Sequence, residues 1–516
     1  MLHVLAQQPL FIRVDAAPDM GIGHLVRCMS LARAWCHSGG RAVFISSLDG
    51  SHSLKSRILN AGFELFGIST PHPDAGDAIV TGNILRDAMG VSSAPCWLVV
   101  DGYHFDQAYH LAMKSMGIHL LLIDDLASLP EYNADIIVNQ NSYAEKGLYG
   151  DKGGPISLVG VRYILLGSNF IKLAEGPLFH EKAGNLLITL GGGDVTDSVK
   201  CILSALFMIA RPGLHVKIVL GPLVNGFDRI SKDVSRLSCH VELIRDVRDM
   251  APVIEWADMA ISAGGTTCYE LAFMGKPFIV VITAKNQERV AESFGKAGAA
   301  VNMGWLSRLK IEDLADAIHN LLLDTELRRR LCKAGSAMVD GKGAERVTDC
   351  MISFDPIIRR AVTRDMEDLY RWANDPSVRS FSFYPDKIKW EEHEKWFNAR
   401  LADPDCILYV ATTKAGDGIG QIRFDIVGDG GAVISISIDA ALRGLGLGKR
   451  LLIQACRGFF SEYDVKYVDA FVRSENVPSL RAFAGAGFRK LSDGLQNGFS
   501  AVTMRLERGP AQWAER

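Results

Sequence analysis

Between residue 10 and about residue 345, short runs rich in branched apolar side chains alternate with longer stretches of helical period. LFIRV, RAVFIS, CWLVVD, HLLLID and DIIVN come first; NLLITLG, HVKIVLG, DMAIS and PFIVVI follow after an interval. Runs that are apolar throughout belong to strands covered on both faces, and strands separated by helices pair in parallel. At IKLAEGPLFHEKAG (171–184) the alternation stops and then restarts. The pattern therefore predicts two α/β, Rossmann-like domains, residues 1–175 and 176–350, with a ligand cleft between them at the carboxyl ends of the strands.

An amphipathic stretch ends near Val347, and from MISFDPIIRRAV onward the pattern is different. Two helical stretches, MEDLYRWAND and EEHEKWFNARL, precede the runs ILYVATT, GIGQIRFDIVG and GAVISISID, which are joined by turns at Lys414–Asp417 and Gly428–Gly431. Consecutive strands with short turns are hairpins, so a third domain, residues 356–510, is predicted to be α+β.

Composition agrees with this division. At about 150 residues per domain, 516 residues make roughly three. With 48% hydrophobic and 22% charged residues each domain can bury a core, which excludes a disordered or fibrous chain. Residues 356–516 carry 23 basic and 21 acidic side chains, leaving 33 and 38 before them. Neither part is a basic face, and nucleic acid is not an expected partner. Ten scattered cysteines without a C-x-x-C pair point to reduced thiols and a cytoplasmic protein, with neither a disulfide framework nor a zinc knuckle. The opening MLHVLAQQPLFIRVD lacks a charged leader region and reads as a first strand, and no run reaches the length of a membrane span.

Three stretches carry candidate chemistry. In VDAAPDMGIGHLVRC, Gly21, Gly23 and His24 follow a strand and open a helix. Glycines permit close ligand approach, first-turn N–H groups favour an anion, and the positive helix end favours a neutral imidazole that can act as a base. A capping or loop histidine is the other reading. In DMAISAGGTTCYELAFMGKP, Gly264 and Gly265 end a strand, and Thr266 and Thr267 open a helix carrying Glu270. That helix start can hold a diphosphate and Glu270 can accept ribose hydroxyls, although Thr267-x-x-Glu270 also fits a capping box. Gly191, Gly192, Gly193 and Asp194, with Asn286 and Gln287, add small and polar groups at neighbouring strand ends.

Arg13 and Asp15 with GIGHLVRC, VVDGYHFD with Asp101 and Tyr103, LLIDDLA, ADIIVNQN, LITLGGGD, ISAGGTTCYEL and Asn286–Gln287 together span residues 10–345. In these pieces the chain resembles the nucleotide-sugar hydrolases of pseudaminic acid biosynthesis (PseG-type), which remove UDP from UDP-2,4-diacetamido-2,4,6-trideoxy-β-L-altropyranose. That family is itself similar to GT-B glycosyltransferases of the lipid-intermediate N-acetylglucosaminyl type. The resemblance implies a GT-B-like arrangement and inverting attack by water at the anomeric carbon, with His24 as base. Asp15 and Asp101, at strand ends, are expected to orient His24 or bind sugar hydroxyls, with a helix or turn cap as the other reading of each; Tyr103 is a further catalytic candidate. Arg13, Gly21, Gly23, Arg27, Gly191, Gly192, Gly265, Thr266, Thr267, Glu270, Asn286 and Gln287 are expected around the UDP-sugar, and since the sequence shows no metal-ligand cluster, no metal is expected. One departure is Gly102, where relatives often carry serine.

The third stretch, SISIDAALRGLGLGKRLLIQACRGFF, runs strand, loop, helix, and its loop Arg443-Gly444-Leu445-Gly446-Leu447-Gly448 can form a nest of N–H groups for a pyrophosphate. A glycine-rich turn or a dinucleotide loop are the alternatives, and the latter would lack the preceding hairpins. With Asn476, Ser479 and Gly487–Phe488 in DAFVRSENVPSLRAFAGAGFRK, this region resembles the GNAT N-acetyltransferases. Its opening, with Trp372, Asn374 and Arg379, is similar to the branch that acetylates UDP-4-amino-sugars (PseH-like). The resemblance implies acetyl-CoA as co-substrate, held by Ile438, Arg443, Gly444, Gly446, Leu447, Gly448, Lys449, Asn476 and Ser479. Phe483 stands where relatives place the tyrosine that returns a proton to the leaving thiolate.

The expectation is a bifunctional enzyme that N-acetylates a UDP-4-amino-sugar and then releases UDP from the product. A GT-B glycosyltransferase with a sugar acceptor, and a nucleotide-sugar-binding protein with a degenerate acetyl-CoA module, are the alternatives.

Overall fold

The computed structural model describes residues 9–16, 23–48, 52–89, 96–149, 154–173, 179–191, 194–221, 224, 226–245, 247, 249–428 and 430–509. Contacts divide the chain into two compact units, one ending at Val347 and one running from Thr348. The helix Gly343–Ile352 continues past the end expected for it near Val347.

The first unit holds two parallel sheets. Strands β1 (Pro9–Val14), β2 (Arg41–Ser46), β3 (Glu64–Gly67), β4 (Trp97–Asp101), β5 (His119–Ile123), β6 (Ile136–Asn139) and β7 (Ile156–Val159) lie in the order β3-β2-β1-β4-β5-β6-β7. Strands β8 (Asn185–Thr189), β9 (His215–Leu220), β10 (His240–Arg245), β11 (Met259–Ala263), β12 (Phe278–Ile282) and β13 (Val301–Trp305) lie in the order β10-β9-β8-β11-β12-β13. The chain changes direction across each sheet between β1 and β4 and between β8 and β11, and a crevice opens there at the carboxyl ends. Every residue of β1, β4, β6, β11 and β12 is buried, because helices cover both faces. On the second sheet, Ile202 and Leu206 of one helix join Ile318 and Leu321 of another on one face, while Leu271 and Phe294 pack the other. Residues 174–178, within the expected break between domains, lie outside the described residues.

The second unit holds β14 (Ile357–Arg360), β15 (Cys406–Thr412), β16 (Gly418–Val427), β17 (Gly431–Ile438), β18 (Tyr467–Arg473), β19 (Arg489–Gln496) and β20 (Phe499–Glu507), in the order β14-β15-β16-β17-β18-β20-β19. Neighbours are antiparallel except β17 and β18, which pair in parallel only from Gly431–Val433 to Tyr467–Asp469. Both strands continue beyond that pairing, to Ile438 and Arg473. The helix Leu447–Glu462 returns the chain from the end of β17 to the start of β18, burying Leu451, Leu452, Ala455, Cys456, Phe459 and Phe460. Phe424 of β16 stacks on Phe459 at 4.0 Å between ring centroids.

All ten cysteines are unpaired thiols. Among the described residues no helix is long and apolar enough to cross a membrane.

Candidate active sites

The first crevice gathers a histidine and its charge partners. His24 and Arg27 lie three residues apart in the helix Gly23–His37, hence on one face of it. Asp101 ends β4 directly beside Val14 of β1, which brings its carboxylate under that face. Its Oδ1 lies 2.6 Å from His24 Nδ1, and its two oxygens accept from Arg27 Nε and Nη2, both at 2.7 Å. Burial works against the charge of Asp101. The Arg27 guanidinium and the hydrogen bonds from Arg27 and His24 outweigh it and hold the carboxyl well below the usual carboxylate range. An ionised carboxylate only accepts, so this contact sets the proton of a neutral imidazole on Nδ1 and its lone pair on Nε2, with Arg27 Nη2 3.1 Å from the same Nδ1. Tyr103 meets the His24 ring edge to face at 4.8 Å.

Asp125, after β5, completes this centre. Its Oδ2 accepts from Arg27 Nη1 at 2.7 Å and from the Tyr103 hydroxyl at 3.0 Å. The residue sits in the LLIDDLA stretch, at a strand end beside Asp101, and that placement was its one sequence signature.

Asp101, and not Asp15, is the carboxylate on His24. Asp15 accepts from Arg13 Nη1 and Nη2 (2.5 and 2.7 Å), from the Ser47 N–H (2.6 Å) and from His104 Nε2 (3.0 Å). Burial raises its pKa, but the bonds from His104 and Arg13 bring it down to about 2. Arg13, fully buried, bonds Asp77 as well, and Asp77 in turn accepts from Tyr109, Thr81 and the His72 N–H. This is a closed cluster in which Arg13 has carboxylate partners on both sides. Gly102 has a steric reason: a Cβ there would lie 2.7 Å from Cε1 of His104. A side chain at 102 and the His104–Asp15 bond exclude each other in this geometry. Gly23 is exposed with open space where a Cβ would be, while Gly21 lies outside the described residues.

At the second crevice, Gly191 follows β8 with φ +92°, a left-handed conformation that suits glycine, and is exposed. Gly192 and Gly193 lie outside the described residues. After β11, a Cβ on Gly264 would lie 2.6 Å from the carbonyl oxygen of Gln287, so glycine lets the two loops meet. The Gln287 side-chain oxygen accepts from Thr283 N and Oγ1, at 2.8 and 3.1 Å, which fixes the turn around exposed Asn286. Gly265 faces open space, and Thr266 is the exposed N-cap of the helix Thr267–Phe273 without a side-chain capping bond. Burial pushes the Glu270 carboxyl up to about 7, and its hydrogen bond with Thr267 opposes that rise. Thr267 and Glu270 thus bond side chain to side chain, without the backbone bonds of a capping box; the Cys268 and Tyr269 N–H groups donate to the Gly265 and Thr266 carbonyls, while the space before the helix at Gly265 stays open.

In the second unit, Gly444 and Gly446 adopt φ +80° and +76°, and Gly446 caps the helix Leu447–Glu462 without any side chain in the way. First-turn N–H groups have no partner within a helix, so this turn offers its donors outward, the set a pyrophosphate needs. Where a Cβ on Gly448 would stand, Ile438 and Ala482 lie 3.5 Å away, and Lys449 packs at Gly485. The Arg443 side chain points elsewhere: Nε donates to the Ile438 carbonyl at 2.9 Å, and Nη1 to Asp375 at 2.8 Å and to the Ser377 hydroxyl. Asn476 caps the helix Val477–Gly485 by accepting from the Ser479 N–H at 3.2 Å. Phe483 is only 4% exposed and meets Phe488 edge to face at 5.0 Å. Trp372 donates to Asp439, Asn374 bonds both backbone groups of Ile388 through its amide, and Arg379 donates to the Tyr384 carbonyl. Among the described residues no three His, Cys, Asp or Glu side chains are placed to hold a metal ion.

These are two parallel α/β sheets with facing strand-end sites, followed by a mixed sheet with an open helix start at a splayed strand pair. Residues 186–342 match the glycosyltransferase family 28 C-terminal domain, and residues 357–489 match the acetyltransferase (GNAT) domain. An uncharacterized protein of Methanocaldococcus jannaschii is 22% identical over 94% of this chain and 98% of its own length. The spore coat polysaccharide biosynthesis protein SpsG of Bacillus subtilis is 28% identical over 46% of this chain and 77% of its own. The solved structure of Acinetobacter baumannii MurG covers 66% of this chain and 98% of that one, at 14% identity and a TM-score of 0.46.

Proposed function

We propose that the chain is a bifunctional nucleotide-sugar enzyme of pseudaminic acid biosynthesis, whose first unit hydrolyses UDP-2,4-diacetamido-2,4,6-trideoxy-β-L-altropyranose and whose second acetylates the UDP-4-amino-sugar that precedes it. The observation that carries the hydrolytic half is the His24–Asp101 pair, which leaves Nε2 of a partly exposed imidazole as a base at a strand-end crevice. A water oxygen attacks the anomeric carbon and its proton passes to Nε2. The bond from that carbon to the diphosphate breaks, and its electron pair leaves on UDP. Asp101 stabilises the imidazolium so formed. Gly191, Gly265, Thr266 and Glu270 border the other crevice, where small residues and an open helix start suit the nucleotide.

In the second unit, acetyl-CoA is the acyl donor, its pyrophosphate on the Gly444–Gly448 turn. The 4-amino group attacks the thioester carbonyl, the C–S bond breaks with its electron pair on sulfur, CoA leaves as thiolate, and the nitrogen gives up a proton to water. Positioning of amine and thioester supplies much of the rate. The match to SpsG, a protein named for polysaccharide biosynthesis, supports a sugar-nucleotide substrate.

A second reading, transfer of the sugar to an acceptor, is favoured by the family 28 match over residues 186–342. Incubating the full chain with the UDP-diacetamido sugar alone separates the two. Hydrolysis yields equal amounts of UDP and free sugar. UDP release only when an acceptor is added would replace hydrolysis with glycosyl transfer.

A further inference from the structure

The turn after β6 touches both halves of the first unit within three residues. Asn141 Nδ2 donates to Asp125 Oδ1 at 2.8 Å, on the carboxylate whose other oxygen holds Arg27 and Tyr103. The Tyr143 hydroxyl donates to the Asp125 carbonyl at 3.2 Å. Between them, the Ser142 N–H donates to the Tyr269 hydroxyl oxygen at 3.1 Å, and that hydroxyl lies 3.3 Å from Ser142 Oγ. Tyr269 is buried in the helix Thr267–Phe273, next to Glu270. Arg289, in the helix after the Asn286–Gln287 turn, lies over the Tyr143 ring at 5.1 Å.

The turn is itself held rigidly. Asn139 Oδ1 accepts from the N–H and the amide of Asn141, at 3.1 and 3.0 Å. Asn139 and Gln140 are buried, and Gln140 accepts from the Leu165 N–H at 3.0 Å. A turn braced this way cannot follow Tyr269 without carrying Asn141, and with it Asp125.

We propose that Asn141, Ser142 and Tyr143 form a strap that couples nucleotide binding on the second sheet to the setting of His24 on the first, with Asn141 and Tyr269 as positioning residues. A shift of the Thr267–Phe273 helix or of Arg289 on binding moves the strap. The strap turns the Asp125 carboxylate, which repositions Arg27 and the Tyr103 hydroxyl, the two groups packed with Asp101 around the His24 ring. The charged and titratable groups in this path are His24, Asp101, Asp125, Arg27, Tyr103, Tyr143, Tyr269 and Arg289. Productive orientation of the base thereby depends on UDP being in place, which discourages idle chemistry in the empty site.

The inference rests on the UDP-sugar reading, and its test has its own readout. The full chain with 15N-labelled histidine reports the His24 imidazole directly, the signal being assigned from a His24→Gln variant, and UDP is the probe. In the wild type, UDP shifts the His24 ring resonances. In Tyr269→Phe, which removes only a hydroxyl, and in Asn141→Leu, UDP still binds, yet that shift is largely lost. Equal shifts in wild type and both variants, or no shift in the wild type, overturn the strap. A wild type that shows the shift but releases no UDP from the diacetamido sugar supports the coupling and removes the hydrolytic reading.

Discussion

Asp101 Oδ1 lies 2.6 Å from Nδ1 of His24, and the same carboxylate is clamped by Arg27 one helical turn further along. The clamp keeps Asp101 ionised, and an ionised Asp101 fixes which nitrogen of His24 is the base.

Asp101→Asn removes the charge while keeping the shape. An amide donor facing Nδ1 moves the ring proton to Nε2, where it blocks base catalysis. UDP release is expected to fall by on the order of 10,000-fold, as for loss of the orienting carboxylate in a Ser-His-Asp triad. His24→Ala should lose about as much, and both variants should bind UDP nearly as the wild type does. The checks are UDP release and calorimetric UDP titration. Turnover near wild type in His24→Ala removes His24 as the base.

Glu270 makes stability and affinity respond to pH in opposite senses. Its folded-state pKa is raised from 4.5 to about 7 by burial, so between those values the native state binds more protons than the unfolded chain. Stability from this group is complete below 4.5 and is lost as pH rises towards 7. A carboxylate that accepts ribose hydroxyls works only when ionised, so UDP affinity should rise over the same range. Glu270→Gln should flatten both profiles. The measurements are thermal midpoint and UDP dissociation constant from pH 5 to 8, and an unchanged affinity profile in the variant leaves Glu270 a partner of Thr267 alone.

The central strands were legible because burial on both faces makes them apolar throughout: β1, β4, β11 and β12 have no exposed residue. Within the two parallel sheets, the four strands that the pattern did not disclose, β3, β7, β10 and β13, are the edges. Edge strands are covered less, and ELFG and HVELIR accordingly mix polar and apolar residues. The glycine and histidine motifs were legible because loops at strand ends carry them contiguously. Asp125, His104 and the Asn141–Tyr143 strap were not, because their roles arise from pairing across 16 to 127 residues of sequence. Asp15 was expected to orient His24 or bind the sugar because it ends a strand, as Asp101 does. Arg13 on the same strand and His104 from the next loop claim its carboxylate instead.

Arg443 was expected among the groups that hold acetyl-CoA, and its backbone begins the glycine turn. Its side chain, however, bonds Asp375, Ser377 and the Ile438 carbonyl. Arg443→Ala should therefore change acetyl-CoA affinity less than threefold while costing about 1 kcal/mol of stability, the scale of a partly exposed, charged hydrogen bond. Thermal melting and acetyl-CoA titration separate the effects. A large loss of affinity at unchanged stability would return the guanidinium to the pyrophosphate.

Phe483 offers no proton at the position where relatives carry an acid, and its ring is buried against Phe488. The leaving thiolate must then take its proton from water or another group. If that step limits turnover, Phe483→Tyr raises kcat for acetyl transfer to the UDP-4-amino-sugar and leaves the acetyl-CoA dissociation constant unchanged, because the Gly444–Gly448 turn is untouched. The new hydroxyl must also find a partner, since an unpartnered buried hydroxyl costs about 1–3 kcal/mol. A gain in kcat at unchanged thermal midpoint places the ring edge at the reacting sulfur. A lower midpoint with no gain places it in the core, and the proton then comes from water, Ser479 or another group.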